Sequence, residues 1–392
     1  MTKRGIGIAG VIALILSVGV WVALPQHGGS LVPGPVVAGA ESISAKEAPD
    51  AGRLPRAISG SRLWTRPPAE VAARSSRRHG FAWILRQLGA TEEQLDELAD
   101  LDIARVIAEL KQNARDGDAA SINILGEIAL QNCRLGRDDE TVKNFVASQI
   151  RDVPAASTVD ASWFAAVMHE DEAFYKNMNA ACGQLSQNEV ASWVAARASQ
   201  NDGASLWLMF RDANSLTEEQ QLLRAAAAAG FPQAQFELAW AIVGGQQGAA
   251  GDGPARVNAG DLLRASQEHL PRSEEQLAIC EYSGCDGVAV DVDAAIKHAR
   301  EAAQRGALDA MAYIGPHLPA GQVSPDEVTA WSLVQASLQQ RGCGGDGFSV
   351  PAIRRIVNTL NANNVSAQAR ILAEQYWQTY GAQMMTSIGC TS

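Results

Sequence analysis

The chain has 392 residues, 47 % of them hydrophobic, which is enough for two ordinary domains or one extended array around a real core. Alanine dominates the apolar set while β-branched and aromatic runs are few, so composition leans all-α. The formal net charge of −11 is uneven: residues 51–86 hold eight arginines (Arg53, Arg56, Arg62, Arg66, Arg74, Arg77, Arg78, Arg86) against Glu70 alone. From residue 87 onward 39 acidic residues face 21 basic ones, a net of −18 that excludes nucleic acid as a partner.

At the N-terminus, Lys3 and Arg4 precede twenty uncharged residues, Gly5 to Leu24. A helix of that length spans roughly 30 Å, the thickness of a bilayer core. The best small-x-small site, Ala38-Gly39-Ala40, lies well beyond the apolar run, and no cysteine stands near residue 20 to mark a lipoprotein. The expectation is an uncleaved signal anchor over residues 1–24. It would cross the inner membrane once through residues 5–24 and leave the C-terminal body in the periplasm. A cleaved signal, giving a soluble periplasmic protein, is the alternative.

Residues 25–60 are rich in Pro, Gly, Ser and Ala without helical or strand period, and are expected to form a flexible, disordered linker. Residues 61–100 read as a basic lead-in with the first helices. Its arginines are expected to be solvated, ahead of contacts with anionic lipid or with the acidic body. Thr91-Glu92-Glu93-Gln94 has the form of a helix start, a cap residue followed three places later by glutamine.

A helical-repeat domain is expected over residues 101–390, and its signal is a register of small residues. From Gly306, steps of four, eight, nine and fifteen places reach Ala310, Ile314, Gly315 and Gly321. From Gly230 the same steps reach Ala234, Leu238, Ala239 and Gly245. A third copy holds Gly117, Ser121, Leu125 and Gly126. A weaker fourth places Ser273, Leu277, Ala278 and Gly284 in register, with His269 in place of glycine. Glycine after a helix takes the left-handed conformation cheaply and ends it. Small residues four and nine places on let two helices approach, while the aliphatic fills the groove between them. One helix pair buries too little surface to stand alone, so pairs must stack. Residues 135–219 keep helical periodicity and lose the register, apart from a loose echo around Asn201 to Met209.

This register resembles the Sel-1-like repeat, a relative of the tetratricopeptide repeat, most fully over residues 277–315. There a small-residue helix, a glycine-containing loop, an Asp before the second helix (Asp291 or Asp293) and an Ala-Ala-x-x-Gly exit follow in turn. The resemblance implies an all-α, α-α solenoid that serves as an adaptor in complexes. Ser324-Pro325-Asp326-Glu327 marks a further helix start. Ser366 to Tyr380 reads as an amphipathic terminal cap ending at Gly381.

Six cysteines (Cys133, Cys182, Cys280, Cys285, Cys343, Cys390) all follow the apolar segment, as export to an oxidising compartment would require. Six permit fifteen pairings; their order along the chain suggests 133 with 182, 280 with 285, and 343 with 390.

Catalytic and metal motifs are weak. His169-Glu170-Asp171-Glu172 has Ala173 where a metalloprotease needs its second histidine, and reads as an exposed helix end. Cys280, Cys285 and His298 match no standard zinc spacing, so a short disulfide is expected there. The glycines of residues 244–253 lack the lysine and preceding strand of a phosphate loop, and residues 342–347 read as a disulfide-pinned turn. Trp207, Trp240 and Trp331 fall in expected helices and are expected to pack between layers. The expected function is a periplasm-facing scaffold that binds an unidentified protein or peptide partner in the cell envelope, without cofactor, metal or catalytic activity. An envelope enzyme or wall-binding protein of the cysteine-rich, penicillin-binding Sel-1-like kind is the alternative.

Overall fold

The chain divides into Met1–Arg62, which lies wholly outside the described residues, and Leu63–Ser392. In the second unit the computed structural model describes residues 63, 66–133, 139–151, 161–246, 249, 256–318, 321–343 and 365–390. The expected anchor and linker therefore fall outside the described residues, as do residues 247–248, 250–255 and 344–347 of the two glycine-rich loops.

The described residues form helices joined by tight turns, with no strand among them. In chain order the helices are α1 (Ala69–Leu85), α2 (Glu92–Ala99), α3 (Ile103–Arg115), α4 (Ala119–Gly126), α5 (Asp139–Arg151), α6 (Ala161–Cys182), α7 (Gln187–Ala198) and α8 (Gly203–Arg211). They continue as α9 (Leu216–Ala228), α10 (Pro232–Val243), α11 (Ala259–Ser266), α12 (Pro271–Ser283), α13 (Val292–Gln304), α14 (Asp309–Ile314), α15 (Pro325–Gln340) and α16 (Ala367–Ser387). A π-helical turn, Glu127–Asn132, prolongs α4. Most starts are set locally. The side chains of Asp118, Ser186, Asp202, Ser215, Asn258, Asp291, Ser324 and Ser366 each accept a backbone N–H of the first turn, and Thr91 and Gln94 form a reciprocal box.

Five helix pairs recur along the chain. The first helices are α4, α8, α10, α12 and α14, and each packs against a returning second helix: α7, α9, α11, α13 and α15 respectively. Before four of the first helices stands a left-handed or turn residue, at Gly117 (φ 89°), Asn201 (φ 63°), Gly230 (φ 85°) and Gly306 (φ 92°). Four places on, Ser121, Ser205, Ala234, Ser273 and Ala310 are all buried. The asparagine explains why the 201–209 unit shows only as an echo in the sequence. Asn, after Gly, is the residue that tolerates this conformation best, so the backbone is kept while the glycine signal is lost.

The first half of the off-register stretch is an insertion inside the first pair. The first helix α4 packs directly on α7, and α5 and α6 leave the stack between them to pack on each other and on α1. Cys133 and Cys182 close the base of this excursion with a disulfide across 49 residues. Closing a loop of that length is worth about 4 kcal/mol through the unfolded chain.

The basic lead-in is not solvated where it is described. α1 lies between the start and the end of the unit: Ala72 and Ala73 pack with Val146, Phe164, Val167 and Met168, while Phe81, Ile84 and Leu85 join the core of α2–α4. Arg74 pairs with Asp96 and Asp100, and Arg77 donates to the Ala99 carbonyl at 3.0 Å. Arg78 pairs with Glu92 and Asp96, and Arg66 stacks on Trp163. Most of the acids that neutralise this stretch come from α2 and its C-cap Asp100, while Asp171 of α6 faces Arg77. Arg53, Arg56 and Arg62 lie outside the described residues.

Two further expectations are corrected. α16 does not end at Gly381 but continues to Ser387. Gly381 keeps helical geometry, and the Trp377 ring lies where a Cβ on residue 381 would stand, 3.0 Å from it. Asp171 is not at an exposed helix end. It lies inside α6, 3.7 Å from the Arg77 guanidinium, and burial pushes its carboxyl up to about 7.

Candidate functional site

The stacked first helices meet through a line of carboxylates, with Glu127 buried and Glu237 and Glu275 half-buried. Between α4 and α8, Ser205 donates to Asn123 at 2.7 Å, and Arg211 donates to both Glu127 oxygens at 2.8 and 2.9 Å. The same Arg211 guanidinium lies 4.8 Å over the Trp207 ring. Trp207 in turn donates its indole N–H at 3.1 Å to Glu237 of α10, whose other oxygen accepts from Gln233 at 2.6 Å. Between α12 and α14, Glu275 accepts the backbone N–H groups of Asp309 (2.5 Å) and Ala310 (3.1 Å), and so caps a helix whose own cap residue, Leu308, offers no side-chain acceptor.

Burial governs the protonation of these groups. Desolvation holds the carboxyls of Glu127 and Glu237 above the usual carboxylate range, although Arg211 favours the charged form of both. Glu275 is pushed up to about 7 by burial and then by the neighbouring Asp309 charge. Glu275 is thereby poised to exchange a proton near neutrality, but it stands at a helix joint with backbone N–H groups already bound to it. For Glu127 and Glu275 that is a structural role.

At the edge of the line one aromatic is left uncovered. Trp207 and Trp331 are buried, whereas Trp240, expected between layers, is 49 % exposed. It touches Phe236, one turn earlier, with ring centroids 6.3 Å apart. Val243 and Tyr313, also on first helices, are exposed as well. A shallow groove of about 450 Å³ on α13 is lined by Asp293, Lys297, Arg300, Glu301 and Gln304. Its cations are occupied within the chain, Arg300 on Glu327 at 2.7 Å and Lys297 on Glu301 at 3.9 Å.

The register residues fall at turns and helix contacts. Gly117, Gly230, Gly245, Gly306 and Gly321 have φ between 70° and 99°. Leu125, Ala234, Leu238 and Ala310 are buried. Gly126 and Gly315 sit where helices touch: a Cβ on Gly126 would come within 2.7 Å of Leu208 and 2.9 Å of Val194, and one on Gly315 would collide with Val328. The disulfides are Cys133–Cys182, Cys280–Cys285 and Cys343–Cys390. His298 lies 2.7 Å from Glu281 and takes no part with the cysteines. Among the described residues no cluster of histidine, cysteine and acid suits a metal, and no helix is long and apolar enough to cross a membrane.

No family model matches the chain, and no curated protein matches it. Its neighbours among solved structures are Sel1-repeat proteins. One is a protective antigen of uropathogenic Escherichia coli displaying an SLR fold, at 15 % identity and TM-score 0.29, with 74 % of this chain and 75 % of that one covered. Another is a Sel1 repeat protein from Oxalobacter formigenes, at 19 % identity and TM-score 0.32, covering 69 % of this chain and 89 % of that one. At these scores the likeness carries nothing about the site.

Proposed function

We propose that the protein is an interaction scaffold. A signal anchor over residues 5–24 would hold it in the inner membrane, and its helical body would face the periplasm and bind a protein partner without catalysing a reaction. The observation that carries this reading is the stack of five helix pairs, whose buried polar groups are spent on joining helices while Trp240, Val243 and Tyr313 stay uncovered on first helices. Repeat stacks of this kind offer extended surfaces to partners. Three disulfides favour an oxidising compartment.

The test is crosslinking of the full-length protein in intact cells, followed by labelling with a fluorescent penicillin. One or a few discrete crosslinked species without labelling are expected. Saturable labelling would replace the scaffold with the penicillin-binding alternative. For the anchor, the protein should stay in the membrane fraction through carbonate extraction and begin before residue 24; a mature start beyond that point removes the anchor.

A further inference from the structure

The chain shows in its own interior how it takes a guanidinium. Arg211 lies over the Trp207 indole at 4.8 Å and is held there by both oxygens of Glu127. One unit further along, α10 presents a second glutamate and tryptophan. Glu237 and Trp240 are three residues apart and so share a helix face. Gln233 and Trp207 fix the Glu237 carboxylate from one side. Trp240 is half exposed, and among the described residues no cation of this chain stands over its ring.

The repeat does not need an exposed indole at this position. Ten places after their turn residues, the other first helices carry Glu127, Arg211, Ile279 and Pro316. Residues from 87 onward carry a net of −18. An acidic surface draws basic partners and rejects acidic ones.

We propose that Trp240 and Glu237 form a receiving site for an arginine or lysine side chain on a basic segment of the partner protein, an assignment that rests on the scaffold reading above. The partner's cation stacks on Trp240 as Arg211 stacks on Trp207, and Glu237 supplies the countercharge. Arginine is preferred to lysine, because a planar guanidinium both stacks and hydrogen-bonds.

The test titrates fluorescein-labelled hexa-arginine, hexa-lysine and hexa-glutamate peptides against the full chain with its disulfides intact, read by anisotropy at about 150 mM salt. Hexa-arginine is expected to bind more tightly than hexa-lysine, and hexa-glutamate not at all. Trp240→Ala should weaken hexa-arginine binding about tenfold, with Trp240→Phe intermediate and Leu216→Ala, at another exposed apolar residue, without effect. Equal binding by Trp240→Ala would overturn the site. So would a dimer of this chain that Trp240→Ala abolishes, or tighter peptide binding when Arg53, Arg56 and Arg62 are changed to serine, since the occupant would then be a second copy or the chain's own segment. A partner crosslinked in cells whose capture survives Trp240→Ala removes this site and leaves the scaffold standing. Peptide binding lost in Trp240→Ala, with no crosslinked partner, does the reverse.

Discussion

Arg78 donates a hydrogen bond of 2.9 Å to the carbonyl of Gly389, 311 residues away, while its other nitrogens pair with Glu92 and Asp96. One side chain thus ties the acidic second helix to the last turn of the chain. Arg86 repeats the bridge, reaching Glu92 at 2.7 Å and the Thr386 carbonyl at 2.7 Å, and His79 meets the Ile388 carbonyl between them. These carbonyls are the free acceptors that any helix C-terminus leaves, and cations are favoured beside them. Cys343–Cys390 fixes the same turn. The helices that precede the repeat stack and the one that follows it are therefore latched to each other.

Arg78→Ala is expected to cost about 1–3 kcal/mol, because it strands the buried Gly389 carbonyl as well as removing the bonds to Glu92 and Asp96. Native-state hydrogen exchange should show protection falling together in residues 69–85 and 384–390. Loss confined to one of these segments would contradict the latch.

Stability should rise on mild acidification. Asp171 and Glu275, at about 7, bind protons in the folded state well above the ordinary range near 4, and Glu127 and Glu237 are shifted the same way. A raised carboxylate favours the fold fully below its unfolded pKa, and that contribution is lost as pH climbs through the folded value. Glu92, Asp100 and Asp118 are lowered by their partners and act oppositely, losing their contribution only at stronger acid. The melting temperature is expected to be roughly 2–6 °C higher at about pH 5 than at about pH 8, and Glu275→Gln should flatten the difference.

Gly315→Ala places a methyl group against Val328 and is expected to cost about 1–3 kcal/mol in a denaturant melt. Gly117→Ala meets open space, so only its left-handed backbone (φ 89°) resists, at about 1 kcal/mol. Equal costs at the two positions would mean that the helices do not approach at Gly315 as described.

Replacing Cys133 and Cys182 together by serine should lower stability by about 4 kcal/mol if the 49-residue insertion is otherwise intact. Peptide mapping without reduction should recover all three pairs, and six free thiols would remove the oxidising compartment from the account.

The parts legible in the sequence were those specified by a few neighbouring residues. Thr91, Asp291 and Ser324 announce helix starts because a cap oxygen and the N–H that donates to it lie three places apart, and Gly230 and Gly306 announce the turns. In the sequence the arginines of α1 look solvated, because their partners are conferred by folding, up to 311 residues away. The glutamate joints were missed for the same reason: Glu127 meets Arg211 only once two units are stacked. Trp240 was placed between layers because a helical pattern gives a face without saying what covers it. Gly381 shows the reverse limit, a glycine that looks like a helix end and instead makes room for Trp377.

The central claim is that the first helices of the stack present the binding face. It is tested most directly by placing a photocrosslinking amino acid in turn at Val243, Tyr313, Leu216 and Val290 of the full-length protein in cells. All four positions are exposed, the first two on first helices and the last two outside them. The account predicts a discrete partner crosslink from Val243, with Tyr313 the next most efficient position and Leu216 and Val290 silent. Crosslinks from Leu216 or Val290 with none from Val243 would contradict it.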